Sequence, residues 1–225
     1  MPTTSEIARL IDHTLLKPEA TRENIRKLCA EALEYGFAAV CVNPTNAAEA
    51  ADLLGAGPVR VSTVVAFPLG ATLPEVKIYE TEEAVKLGAQ EIDMVINIGA
   101  LKSGEDKALE AEVRGVVTAA HRGGAICKVI LECALLSREE KVRGARAARN
   151  AGADFVKTST GFGPGGATVD DVRLLRGVVG EAMGVKAAGG IRTLDDLCKM
   201  VEAGANRIGT SAGVQILEQA RARNC

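Results

Sequence analysis

Histidine is scarce in this chain: His13 and His121 are its only two, which excludes a His-rich metal site. The six cysteines, at positions 29, 41, 127, 133, 198 and 225, form no C-x-x-C pair and keep no regular spacing. Several lie within apolar runs, so they read as buried thiols of a reducing cytosol rather than a disulfide framework. An excess of one charge is missing too. The 27 Lys and Arg face 29 Asp and Glu, for a net charge of −2, and no basic run stands out. That leaves no electrostatic footprint for nucleic acid. Charges interrupt every apolar segment before it is long enough to span a bilayer. The start, Met1-Pro2-Thr3-Thr4-Ser5-Glu6, has no basic region followed by an apolar stretch, so no secretory signal is read there. The chemistry must rest on Lys, Asp, Glu and hydroxyl groups. A soluble cytoplasmic enzyme with no metal and no cofactor is expected.

What the chain does have is a rhythm. Short β-branched or apolar runs alternate with longer segments of helical period, the mark of βαβ units and a parallel sheet. The pattern predicts a leading helix over Thr4–Ile11, capped by Thr3 or Thr4. Strands are expected at Asp12–Leu15, Ala38–Val42, Val59–Val65, Glu91–Ile96, Ala125–Leu131, Ala153–Lys157, Met183–Ala187 and Asn206–Ile208. Helices are expected at Thr21–Tyr35, Thr45–Leu54, Leu73–Leu87, Leu109–Arg122, from Ser137 to Asn150, at Val169–Val179, Thr193–Glu202 and Ala212–Arg221. Eight strands alternating with eight helices imply an α/β fold: one (β/α)8 TIM barrel over 1–225, with a short additional N-terminal helix. A doubly wound open sheet is the rival. Against it, no G-x-G-x-x-G follows the first strand and no composition shift marks a second domain.

In such barrels the active site lies at the carboxyl ends of the strands. Two lysines stand in matching places there, in Phe155-Val156-Lys157 and Gly184-Val185-Lys186. A desolvated lysine beside a like charge loses proton affinity and becomes an amine nucleophile for a carbonyl. The plainer alternatives are a solvated lysine at a strand end, or lysines that merely pair with Asp93 or Glu132. Asp93 interrupts the apolar strand Glu91-Ile92-Asp93-Met94-Val95-Ile96. A carboxylate buried there must face a lysine, either as a proton shuttle or as a structural ion pair. Lys128 comes early in its strand and lies deeper, with a structural role as plausible as a catalytic one. Two glycine-rich turns, at Ala188-Gly189-Gly190-Ile191-Arg192-Thr193 and Gly209-Thr210-Ser211-Ala212-Gly213, are expected after strands seven and eight. Loops at those places, leading into helix N-termini, commonly bind phosphate; a Gly-Gly alone is more often just a turn. Cys41 reads as a buried structural thiol, since no histidine is placed to activate it. His13 reads as a hydrogen-bonded strand residue.

These residues reach a known pattern. Ile11-Asp12-His13-Thr14-Leu15-Leu16, Ala39-Val40-Cys41-Val42, Phe67-Pro68-Leu69-Gly70, Glu91-Ile92-Asp93-Met94-Val95-Ile96-Asn97, Lys157-Thr158-Ser159-Thr160-Gly161 and Val185-Lys186-Ala187-Ala188-Gly189-Gly190 closely resemble the deoxyribose-phosphate aldolases. These are class I aldolases with a (β/α)8 fold. The resemblance implies reversible cleavage of 2-deoxy-D-ribose 5-phosphate to acetaldehyde and D-glyceraldehyde 3-phosphate. It makes Lys157 the Schiff-base lysine and Lys186 the second lysine that lowers its pKa. Asp93 becomes the relay aspartate. Gly161, Gly189, Gly190, Gly209 and Ser211 fall on the phosphate side, and Asp12, Thr14 and Thr160 near the substrate. The partners implied are a small phosphorylated sugar and further copies of the chain, as a dimer or tetramer, with no membrane. The sequence departs from the pattern in two places. Cys133 stands where many members have threonine, and the tail Arg221-Ala222-Arg223-Asn224-Cys225 lacks the terminal tyrosine of some members, Tyr35 and Tyr79 lying elsewhere. Two other functions fit the residues less fully. One is a phosphosugar isomerase of the same fold with Asp93 or Glu132 as base, and the other a non-catalytic phosphometabolite-binding protein.

Overall fold

The computed structural model describes residues 3–223, so Cys225 and the end of the tail lie outside the described residues. The element order is α1 (Thr4–Ala8), β1 (Ile11–Leu15), α2 (Arg22–Tyr35), β2 (Ala39–Val42), α3 (Ala47–Leu54), β3 (Arg60–Val65), α4 (Pro74–Lys86) and β4 (Glu91–Val95). It continues with α5 (Ile98–Lys102), α6 (Asp106–Arg122), β5 (Ile126–Ile130), α7 (Arg138–Asn150), β6 (Phe155–Lys157), α8 (Val169–Val179), β7 (Gly184–Ala188), α9 (Leu194–Glu202), β8 (Arg207–Thr210) and α10 (Gly213–Ala222). All neighbouring strands are parallel, and β8 pairs back onto β1 to close the barrel in chain order. Among the described residues no helix is long and apolar enough to cross a membrane.

Local chemistry explains where helices begin. Thr3, Thr21, Ser137 and Thr193 each cap a helix reciprocally, their side chains accepting the N–H three residues on while Glu6, Asn24, Glu140 and Asp196 reach back. Gly36 ends α2 in the left-handed conformation. Strand alternation then sorts the side chains. Val40, Val61, Ile92, Met94, Val129, Val156, Val185 and Ile208 join the helices in one continuous apolar core. The alternate positions face the lumen, where charged residues such as Asp12, Asp93 and Lys128 stand beside apolar ones such as Cys41 and Val64.

The structure corrects several expected boundaries. Ile11, placed in the leading helix, begins β1, because it pairs with Ile208 across the closure. Gly209 and Thr210, expected in the turn after β8, belong to the strand itself and pair with Asp12 and His13. The expected helix from Thr45 starts at Ala47, after a single 3-10 turn at Pro44–Asn46. The five-residue α5 was too short to show a helical period; Asn97 caps it by accepting the Ala100 N–H.

Candidate active site

Closure of the barrel gathers seven ionisable side chains in one layered network. Lys157 and Lys186 are in register on β6 and β7. Both ammonium nitrogens lie 2.7 Å from the same oxygen, Oδ2 of Asp93. The other Asp93 oxygen accepts from Lys128 at 2.7 Å and from the Ser62 hydroxyl at 3.2 Å. Lys186 also donates to Oδ2 of Asp12, whose Oδ1 accepts from Arg207 Nη1 at 2.7 Å. Glu91 forms the deepest rung, within 2.7 Å of Lys128 and 2.9 Å of Arg207. Asp12, Glu91, Asp93 and Lys128 have no solvent exposure. Four cations and three carboxylates therefore share a largely buried space, and one cation can lose its proton without leaving an unpaired carboxylate.

The environment identifies which. Burial pushes the Lys157 pKa below the ordinary lysine value; Asp93 works against this, and the neighbouring Lys186 charge adds to it. Burial also opposes charge on Lys186, but Asp12 and Asp93 more than offset it and hold that pKa above the ordinary value. Lys128 is raised too, its burial outweighed by Asp93 and Glu91. Burial disfavours the ionised Asp93, yet Lys128, Lys157 and Lys186 keep it well below the usual carboxylate range. For Asp12 burial is likewise outweighed, by Lys186, Lys128 and Arg207, and the pKa falls to about 2.

Above the network a cavity of about 420 Å³ opens at the carboxyl ends of the strands. Of the expected site residues, Lys157, Thr14, Thr160, Gly161, Gly189, Gly190, Gly209 and Ser211 line it. Asp93, Lys186 and Asp12 do not; they lie beneath and connect to the cavity through Lys157. Gly189 and Gly190 take φ values of 89° and 80°, a conformation open to glycine, which turns the chain beside the cavity before α9. Phe162, Arg192 and Thr210 also line the cavity, and Arg192 supplies a cation beside the glycine turn. A larger groove of about 700 Å³ has His13, Glu31, Lys27 and Gln215 along its wall but neither Lys157 nor Lys186, so the larger opening is not the one above the lysine–carboxylate network.

His13 is buried and bonds Glu31 through Nε2 at 2.8 Å, and burial pulls its pKa down. Cys41 is fully buried and its thiol is pushed up by burial, so it is not a ready thiolate. Sequence reasoning missed Arg207, Glu91 and Ser62. The signal was there for the first two: a charge within an apolar strand, as at Asp93, demands a buried partner.

A closed parallel barrel with a lysine–carboxylate network beneath a small cavity at its strand ends places the chain among the (β/α)8 enzymes. Comparison with known proteins narrows this. A family model described as DeoC/LacD family aldolase matches residues 7–219. The deoxyribose-phosphate aldolase of Thermococcus gammatolerans is 58% identical over 218 residues, 96% of this chain and 97% of that one. That of Caldanaerobacter subterraneus subsp. tengcongensis is 59% identical over 214 residues, 95% and 93% of the two chains. The tetrameric deoxyribose phosphate aldolase from Aeropyrum pernix superposes with a TM-score of 0.91 at 38% identity, covering 98% of this chain and 93% of that one. The chain belongs to the DeoC/LacD family of aldolases.

Proposed function

We propose that this chain reversibly cleaves 2-deoxy-D-ribose 5-phosphate to D-glyceraldehyde 3-phosphate and acetaldehyde, with Lys157 as the covalent nucleophile. One observation carries the assignment of Lys157. Of the three lysines on Asp93, it alone both lines the cavity and has its pKa lowered.

The neutral Lys157 amine, with one N–H held by Asp93, directs its lone pair to the substrate aldehyde. Addition gives a carbinolamine, and loss of water gives an iminium ion. Transfer of the carbon-3 hydroxyl proton to solvent water in the open cavity breaks the bond between carbons 2 and 3. The bonding electrons flow to the iminium nitrogen, leaving an enamine and releasing the phosphorylated aldehyde. Protonation of carbon 2 and hydrolysis free acetaldehyde and return the lysine. Lys186, held charged by Asp12 and Asp93 and sharing Asp93 Oδ2 with Lys157, is the proton source, and the ionised Asp93 stabilises the iminium charge. Gly189, Gly190, Gly209 and Ser211, with Arg192 and the N-terminus of α10, face the phosphate.

The isomerase alternative needs a free carboxylate base at the cavity. Asp93 is engaged by three lysines, and Glu132 does not line the cavity, so neither suits that role. We place the protein in the reducing cytoplasm as a homo-oligomer, supported by the buried thiols of Cys29, Cys41, Cys127 and Cys133 and by the tetrameric relative. The test of function is borohydride reduction in the presence of acetaldehyde, followed by peptide mass mapping. An ethyl adduct on Lys157 is expected. An adduct on Lys186 alone would reverse the two lysines, and no adduct on a folded sample would remove the Schiff-base mechanism.

A further inference from the structure

One buried carboxylate that does not line the cavity governs the loop that does. Glu132 follows β5 with a φ of 57° and is 2% exposed. Its Oε2 accepts the Thr160 main-chain N–H at 3.2 Å and, at short range, the Thr160 hydroxyl. The Phe162 N–H donates to that same hydroxyl oxygen at 3.0 Å. Gly163 lets the carboxylate lie this close, since a Cβ there would come within 2.8 Å of Glu132 Cδ.

A threonine hydroxyl has one proton to donate and two lone pairs to accept with. Glu132 Oε2 is the acceptor in both contacts, so the Thr160 hydroxyl proton is committed to Glu132. One lone pair is committed to Phe162. What Thr160 has left in the cavity it lines is one acceptor site. We propose that Glu132 is a positioning residue that makes Thr160 an obligate hydrogen-bond acceptor, so that the cavity selects a substrate hydroxyl able to donate. The inference rests on the aldolase reading above. In the phosphorylated aldehyde of that reaction, the single hydroxyl, next to the aldehyde carbon, is the group selected. An ionised phosphate can only accept and is turned away from this wall of the cavity.

The experiment measures addition of acetaldehyde to D-glyceraldehyde 3-phosphate and to 3-oxopropyl phosphate, which lacks that hydroxyl. Wild type, Glu132→Leu and Gly163→Ala are compared. Wild type is expected to favour the hydroxylated aldehyde by about tenfold in kcat/KM, the worth of one well-placed hydrogen bond. In both variants the preference is expected to shrink to about twofold or less, mainly through KM for the hydroxylated aldehyde. An unchanged preference in the variants overturns the proposal. So does an equal loss with both aldehydes, which marks a merely structural role, and so does a wild type with no preference. If Glu132→Leu does not fold, Gly163→Ala decides, because it displaces the carboxylate without removing it. Acetaldehyde trapping on wild type runs alongside. Absence of the Lys157 adduct there removes the aldolase reading itself, whereas an adduct with unchanged preferences removes only this inference.

Discussion

Lys157 and Lys186 stand opposite each other on adjacent strands, and their ammonium nitrogens share one oxygen of Asp93 at 2.7 Å each. Two like charges on one acceptor in a buried setting make it costly to keep both protonated. The second carboxylate, Asp12, stands on the Lys186 side and settles which lysine keeps its charge. A single carboxylate placed differently would exchange the two roles.

Replacing Lys157 by Leu is expected to abolish borohydride trapping and to lower kcat by on the order of 10⁴-fold or more, as loss of a covalent nucleophile does. The fold is expected to persist. An apolar side chain in place of a buried amine, with Lys128 and Lys186 still on Asp93, costs little and can stabilise. Thermal unfolding checks that the loss is chemical.

Lys186→Met is expected to move the acid limb of the kcat/KM profile to higher pH. The neighbouring charge lowers the Lys157 pKa and Asp93 raises it. Removing Lys186 takes away the first effect and leaves Asp93 to act on Lys157 alone, so the amine holds its proton to higher pH. The rate at neutral pH is expected to fall by about 10²- to 10⁴-fold, as for a lost proton donor. An acid limb that stays in place would separate the pKa of Lys157 from its neighbour.

Arg207→Leu takes one cation from both Asp12 and Glu91 at the bottom of the lumen, leaving Lys186 on Asp12 and Lys128 on Glu91. Removing one partner from a buried ion-pair network of this kind costs about 3–5 kcal/mol. For a chain of this size that is roughly 6–20 °C in the unfolding midpoint. Calorimetry of the variant measures it directly.

Acid is expected to weaken the fold in a defined window. The folded pKa of Asp12 is about 2, below its ordinary 3.8. The unfolded chain therefore binds more protons between those values. The stabilisation, about 2 kcal/mol, is complete above roughly pH 4 and is lost as pH falls toward 2. In Asp12→Asn the slope of stability against pH across that window is expected to flatten, as read by urea unfolding at a series of pH values.

Gly177 lies exposed within α8, and a Cβ there would meet nothing within 4 Å. Gly177→Ala is expected to stabilise by about 0.5–1 kcal/mol through lower unfolded-state entropy and better helix propensity, with no change in kcat. A fall in the melting temperature would contradict this.

Much of the fold was legible along the chain because its causes are local. Helix starts at Thr21, Ser137 and Thr193 depend on contacts within four residues, and strand positions on a period of two. Hence all eight strands were placed, most within a residue or two, with the errors at ends such as Ile11 and Gly209, where pairing with a distant strand decides. The site was legible where chemistry is unusual in its setting, as at Lys157, Lys186 and Asp93. Glu132 was legible as a carboxylate at a strand end, but its hold on Thr160 was not, because its backbone turn and the space at Gly163 exist only in the folded loop.

Residue type, periodicity and capping are carried by neighbours in the chain, so these alone specified alternating strands and helices and put reactive side chains at strand ends. Which lysine has its charge disfavoured was decided only by closure. Asp12 meets Lys186 across 174 residues and Arg207 across 195, and it is the joining of β8 to β1 that brings them together. Electrostatic selection among buried groups depends on distance in space and exclusion of water, and neither quantity exists until the barrel has formed.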